Sequence, residues 1–404
     1  MKTLFRTLFF IFTLMLTAAS CTKDGFGGLV FESASMSGER IGGGGGGGEG
    51  GTNGQPEGIA GKITAGEWND LDNWPFWGDL MTPQQDGEDY AKMVMDWGFN
   101  TKWRVAVKVT DNAGKPVPGV SVHLMRGKKT LWMARTDVLG RADCWLGMFN
   151  DDSTINGLRI SLDGWILPDE PKITTLDSEV MMNEYTVKAT AEVQPKADLL
   201  FIVDATGSMS DEIAFLKADL MDILNKVQSM KSNIAIRTGA LFYRDEGDAY
   251  LTRVSQFTDN INETISFIGK QNADGGGDYP EAVHTALEHS IQKLSWRQDA
   301  RTKLAFMLLD APAHQDQQGV VESIHKSIEY YAAQGIKLIP VASSGVDKST
   351  EFMLRLFSIA TNGTYVFITN DSGIGNDHIE PTIGEYKVEI LSDLLVRLIT
   401  KYLG

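Results

Sequence analysis

Five apolar residues, Leu199 to Val203, run without interruption and then meet Asp204-Ala205-Thr206-Gly207-Ser208. A short apolar run bounded by polar residues reads as a strand buried on both faces, the kind found inside a parallel sheet. Gly207 allows a sharp turn directly after the strand. An acid and two hydroxyls spaced two apart, held out at a strand end, gather three hard oxygen donors in one turn. That donor set suits a small divalent cation. Asp211 and Glu212 then open a helix, where negative charge suits the dipole.

The chain from residue 196 onward alternates strands with amphipathic helices, which predicts a doubly wound α/β sheet. Strands are expected at Leu199–Val203, Ile234–Tyr243, Lys303–Leu309, Ile336–Ala342 and Tyr365–Thr369, with a reversed one at Leu251–Phe257. Helices are expected at about Asp211–Ser229, Asn260–Lys270, Pro280–Leu294, Val320–Gln334, Thr350–Ile359 and Tyr386–Tyr402. Ligands of such sheets sit outside the carboxyl ends of the strands. Four features fall on that edge: Asp204 to Ser208, Arg244-Asp245, the loop Asp274-Gly275-Gly276-Gly277-Asp278-Tyr279-Pro280-Glu281, and Asp310 after an apolar strand.

Three of these pieces resemble the metal-ion-dependent adhesion site of the von Willebrand factor type A family, whose pattern is Asp-x-Ser-x-Ser. They are Asp204-x-Thr206-x-Ser208, Gly276-Gly277-Asp278-x-Pro280-Glu281 and Asp310. The resemblance covers residues 194–404 and implies a Rossmann-like fold. It also implies a cation held by Asp204, Thr206, Ser208, Glu281 and Asp310. Asp278-Tyr279-Pro280-Glu281 is similar to the Asp-x-Pro-Glu version of that loop in integrin β subunits, which gives Glu281 its role. Asp211, Glu212 and Asp278 fall where a second, adjacent cation would bind. Hydroxyl, carboxylate and water donors favour Mg²⁺, with Ca²⁺ or Mn²⁺ as the other fits. In this family an acidic residue of a protein partner completes the shell, so the implied function is metal-bridged capture of a carboxylate. Arg244, Asp245 and Tyr279 are expected to line the partner-binding face.

Upstream, Trp103, Val105, Val107 and Val109 alternate with polar residues, a half-buried strand. Asp111-Asn112-Ala113-Gly114 and Asp137-Val138-Leu139-Gly140 are turn signals between strands. A Val-rich strand, Asp-x-x-Gly-x-Pro-Val-x-Gly-Val and Thr-Asp-x-x-Gly resemble the carboxypeptidase-regulatory, transthyretin-like sandwich. Residues 101–193 are therefore expected to form an all-β Ig-like or transthyretin-like module acting as a spacer. Residues 65–100 crowd Trp68, Trp74, Phe76, Trp77, Tyr90, Trp97 and Phe99 together. Two readings stand: a cover for a sheet face or edge, or a platform on which sugar rings stack.

Lys2 and Arg6 precede an apolar run from Leu8 to Leu16, so residues 1–20 read as a secretory signal. Ala18-Ala19-Ser20-Cys21 resembles a bacterial lipobox, making Cys21 the lipidated residue and the outer membrane or cell surface the expected location. Gly42 to Gly48 lie within a glycine-rich tether, residues 21–64. Such a coil reaches about 35 Å. With a formal net charge of −16, nucleic acid is excluded as a partner. Contact with a membrane is expected through the lipid alone.

A cation with an open position also suits hydrolysis, but the histidines form no ligand or triad pattern and only His314, near Asp310, is placed to act as a base. Asp204-Ala205-Thr206 lacks the second Asp of an Asp-x-Asp phosphatase motif, and Gly275 to Gly277 lack the trailing Lys of a Walker loop. The sequence therefore predicts a binding protein and no enzyme. Its alternatives are a scaffold for envelope assembly using the same face and, behind it, a metal-assisted hydrolase.

Overall fold

A computed structural model describes residues 61–83, 90–188, 194–372 and 378–404. The signal, Cys21 and the glycine run lie outside the described residues. Along the chain the first elements are Thr64–Trp68 (β1), Trp74–Leu80 (α1), Tyr90–Trp97 (α2), Arg104–Thr110 (β2), Ser121–Arg126 (β3), Lys129–Arg135 (β4), Arg141–Trp145 (β5), Leu158–Leu162 (β6), Trp165–Ile166 (β7) and Asn183–Thr186 (β8). There follow Lys196–Asp204 (β9), Ser210–Met230 (α3), Ala235–Tyr243 (β10), Thr252–Thr258 (β11), Ile261–Gly269 (α4), Val283–Gln292 (α5), Thr302–Leu309 (β12) and Val320–Gln334 (α6). Ile336–Ala342 (β13), Lys348–Thr361 (α7), Tyr365–Ile368 (β14), Glu389–Ile390 (β15) and Leu391–Leu403 (α8) complete the set.

The apolar strands from β9 onward build an eight-stranded sheet in the order β11-β10-β9-β12-β13-β14-β1-β15. Its centre, β10-β9-β12-β13-β14, is parallel, and β11 runs antiparallel at one edge, as the sequence predicts. β9, β12 and β13 are buried along almost their whole length because helices cover both faces.

The other edge is not what the sequence predicts. Residues 64–68, from the Trp-rich side of the chain, insert antiparallel between β14 and β15, with Ala65 opposite Ile368 and Trp68 opposite Tyr365. Ile63 is buried and Thr64 is already in a strand, so the tether expected to extend to residue 64 stops short of them. The last helix begins at Leu391 rather than Tyr386 because Glu389 and Ile390 pair with Thr64 and Ala65.

Two smaller sheets form from residues 104–186: β5-β2-β8 and β4-β3-β6-β7. Both expected turns use one device. Asp111 Oδ1 accepts from the backbone N–H groups of Ala113 and Lys115, and Asp137 Oδ1 from those of Leu139 and Arg141. Gly140 takes φ +72°, and a Cβ there would lie 2.3 Å from the Val109 carbonyl oxygen, so only glycine fits.

The tryptophans resolve between their two readings. Trp74, Trp77 and Trp97 are fully buried, and Trp68 nearly so. Their indole N–H groups donate to the Thr175 carbonyl, Thr101 Oγ1, Ser349 Oγ and Asp70 Oδ1. Trp74 packs on Trp145 of β5, while Trp77 stacks on Phe352 of α7 at 6.0 Å. These rings are mortar between the small sheets and α7, and the sugar platform is ruled out for them by burial.

Candidate metal centre

β9 ends at Asp204, whose side chain turns back on its own loop. Its Oδ1 accepts from Thr206 N (2.9 Å) and Thr206 Oγ1 (2.7 Å), an Asx-type turn that fixes both residues. Its Oδ2 is buried and makes no well-formed hydrogen bond, although the buried Tyr243 hydroxyl lies close enough to favour the charged carboxyl. The glycine loop lies against this turn: Asp274 N donates to the Ala205 carbonyl (3.1 Å) and Gly207 N to the Gly275 carbonyl (3.1 Å). Gly275 and Gly276 both take positive φ. A Cβ on Gly276 would sit 3.1 Å from Glu281 Oε1 and 3.2 Å from Thr206 Cβ, so this glycine lets the acid and the hydroxyl face one hollow.

Glu281 reaches that hollow because it is not yet helical. Its N–H donates to the Pro312 carbonyl (2.8 Å), and it bridges to Ala313 in parallel fashion. This bridge delays the helix expected from Pro280 until Val283. It also ties the glycine loop to the segment after Asp310. Glu281 Oε2 is buried with no partner. Ser208 is exposed at the mouth of the site.

Electrostatics link the three acids. Burial, then the Asp310 charge, pushes the Asp204 carboxyl up to about 7. Burial pushes Glu281 up to about 9, with Asp204 the strongest of four acids that add to it. Burial also raises Asp310, against a counteracting interaction with the Ser208 hydroxyl. Asp204, Thr206, Ser208, Glu281 and Asp310 are thus brought together by three separate loops. Among the described residues no three His, Cys, Asp or Glu side chains form a metal cluster by themselves. The donors are mixed carboxylate and hydroxyl oxygens. Buried carboxylates in mutual repulsion beside hydroxyls, with Glu281 Oε2 lacking a partner, fit a hard divalent cation.

The flanking acids diverge. Glu212 is buried at the start of α3, with Oε1 3.3 Å from both the N and Oγ of Ser344 and its carboxyl pushed up to about 7, chiefly by burial. Asp211 is half-buried in the same turn, whereas Asp278 is exposed on the glycine loop. No hydrogen bond joins Asp211, Glu212 and Asp278 among the described residues.

The expected partner face also needs correction. Arg244 and Asp245 are only 6% and 7% exposed. Arg244 donates to the Asn272 carbonyl, pairs with Asp274 and lies over the Tyr250 ring; Asp245 Oδ1 is 2.7 Å from His314 Nε2. Both hold loops together from within. Tyr279, 42% exposed, does reach the surface, its hydroxyl between Gly345 and Asp347. Asp248 was not singled out in the sequence, yet its Oδ2 accepts from Gly276 N (3.1 Å) and so shapes the glycine loop. It stands in the same polar run as Arg244 and Asp245, and nothing periodic in a loop marks which acid turns inward.

Comparison with family models matches residues 198–354 to the von Willebrand factor A domain. The chain carries a von Willebrand factor A domain. Within it lie all five residues of the centre. Curated relatives include the alpha-protein kinase vwkA of Dictyostelium discoideum, 32% identical over 147 residues, 36% of this chain and 22% of that protein. The putative ariadne-like RING finger protein R811 of Acanthamoeba polyphaga mimivirus is 31% identical over 121 residues, 30% of this chain and 12% of that protein. The chain therefore spans about a fifth or less of the length of these relatives. Solved structures that resemble it include the pilus adhesin SpaC of Lactobacillus rhamnosus GG, at TM-score 0.36 and 10% identity, covering 51% of this chain and 30% of that one. Its open conformation gives TM-score 0.34 at 9% identity, covering 52% and 29%.

A pH response of this domain follows from the raised carboxyls. The folded, metal-free state holds protons on Asp204 and Glu281 that the unfolded chain releases near pH 4. Their contribution is therefore full below about pH 4 and is lost as pH rises through about 7 and 9. In chelator, the melting temperature is expected to fall between pH 5.5 and 8.5. Saturating Mg²⁺, which binds the deprotonated forms, should offset the fall. Melts that do not change with pH in chelator would contradict the assignment.

Proposed function

We propose that the von Willebrand factor A domain binds a protein partner by bridging a divalent cation to the partner's carboxylate. Asp204, Thr206, Ser208, Glu281 and Asp310 would hold the cation, Mg²⁺ first, with Ca²⁺ or Mn²⁺ as alternatives. The observation that carries this reading is the convergence of buried Asp204 and Glu281, whose Oε2 has no partner, on the glycine hollow. The cation's chemistry there is charge: it offsets the repulsion among three acids and leaves a position for an incoming acid. Tyr279 stands at the rim as a contact residue. The two small sheets serve as a spacer of the transthyretin-like kind, and Cys21 as a lipid anchor at the outer membrane or cell surface.

A binding role rather than hydrolysis is supported by His314, the one candidate base, which is buried with Nε2 on Asp245. Adhesion and envelope assembly differ in where the partner resides. Immobilised mature protein, exposed to extracts of its own envelope and separately to matrix proteins, should retain partners in Mg²⁺ and release them in chelator. Partners that stay bound in chelator would overturn metal bridging. Partners found in the envelope extract alone would favour the scaffold.

A further inference from the structure

A second recess lies at the opposite edge of the large sheet, where the strands begin. A cavity of about 280 Å³ opens between β4 and β5 on one side and the starts of β12 and β13 on the other. Its walls carry three acids, and each already has a cation: Asp137 with Lys337 (3.1 Å), Asp143 with Arg104 (2.6 Å) and Asp299 with Lys196 (2.5 Å). Three cations on the same walls, Arg135, Arg301 and Lys303, form no ion pair with any described residue. Asp198 lies within the field of Lys303 but is held by Arg237 and Arg297.

Each of the three cations makes a structural contact and retains donors beyond it. Lys303 Nζ donates to the Gln334 carbonyl (2.9 Å) and Arg135 Nε to the Ala333 carbonyl (3.3 Å), both at the end of α6. Arg301 Nη2 donates to the Leu403 carbonyl (2.6 Å) at the end of α8, and its Nε is buried without a partner. The ends of two helices offset about half a charge each, which leaves an excess of about two positive charges. Lys303 is only 3% exposed, and burial, then Arg135, pushes its ammonium down to about 8. Lys303 therefore sits in a partly dry recess against the like charge of Arg135, with Asp198 and Asp299 opposing it. Arg301 and Lys303 sit two apart at the strand start and so share a face. Arg135 reaches them across Gly335, where a Cβ would lie 2.9 Å from Arg135 Cβ.

We propose that this cleft binds a small dianion of the phosphate-monoester class, held by Arg135, Arg301 and Lys303. Two guanidinium forks suit phosphate oxygens, and the buried ammonium supplies a point charge beneath them. Gln298, exposed on the same wall, offers a further donor to the rest of a soluble ligand. Because the cleft joins the small sheets to the A domain, an occupant would clamp the two together.

The test uses the mature full-length chain in chelator, so that the metal edge takes no part. Inorganic phosphate and glycerol 3-phosphate are titrated calorimetrically and in thermal melts. Saturable binding at millimolar phosphate or tighter is expected, with the ester no weaker than free phosphate. Arg135→Gln and Arg301→Gln should each weaken it by about tenfold or more. Hydrogen exchange on the unmutated chain should show phosphate slowing β4 and the ends of α6 and α8, a readout that stands even if a variant fails to fold. No binding of either probe, or protection confined to other segments, would overturn the proposal.

Discussion

Asp204→Asn is expected to abolish cation binding while leaving the fold intact. The amide keeps an oxygen for Thr206 N and Oγ1, the two contacts that shape the loop, and removes the charge the cation needs. Outer-shell losses at metal sites cost roughly 10–100-fold in affinity, and loss of a direct or water-bridged carboxylate should cost more. In chelator, the variant should melt at the same temperature as the parent or above it, because a buried carboxyl repelled by Asp310 has been neutralised. Mg²⁺ should then raise the melting temperature of the parent and not of the variant. An equal Mg²⁺ shift in both would place the cation elsewhere.

The second large effect lies away from the metal edge. Arg355 is fully buried inside α7, where its Nε donates to Asp70 Oδ2 (3.1 Å) and its guanidinium lies over the Trp77 and Tyr90 rings. Glu351, one turn earlier, is equally buried. Arg355→Met would strand two buried acids, a loss of about 3–5 kcal/mol. Removing Asp70 as well should restore part of it, since the double variant Asp70→Leu/Arg355→Met leaves only Glu351, which Lys348 and Thr382 also hold. Denaturant melts of both singles and the double would measure the coupling. Strictly additive losses would show that the pair does not act as a unit. This clamp also explains why the N-terminal segment belongs to the fold: a fragment starting at Pro195 would lack β1, Asp70 and Trp77.

Period-based reading located the elements whose burial is uniform. β9, β12 and β13 are unbroken apolar runs, and α6 falls on the residues the periodicity predicts. The reversed β11 was legible as well. β1 was not, because Thr64 to Trp68 is short, carries Gly66 and Glu67, and finds its partners about 300 residues away. Such a pairing leaves no local trace. At the site, the Asp-x-Thr-x-Ser turn and the glycine loop were legible because their chemistry is carried by residue type at fixed spacing. Arg244 and Asp245 were misplaced for the opposite reason. A charged pair after a strand reads as surface, and only the packing of Tyr250, Asp274 and His314 turns it inward.

The central claim is a cation at the glycine hollow, and calorimetric titration of Mg²⁺, Mn²⁺ and Ca²⁺ into the mature chain tests it most directly. The titration is run beside Asp204→Asn, with and without acetate as a stand-in for the partner's carboxylate. Binding by the parent alone, strengthened by acetate, is the result predicted. No binding of any of the three cations, even with acetate present, would contradict it.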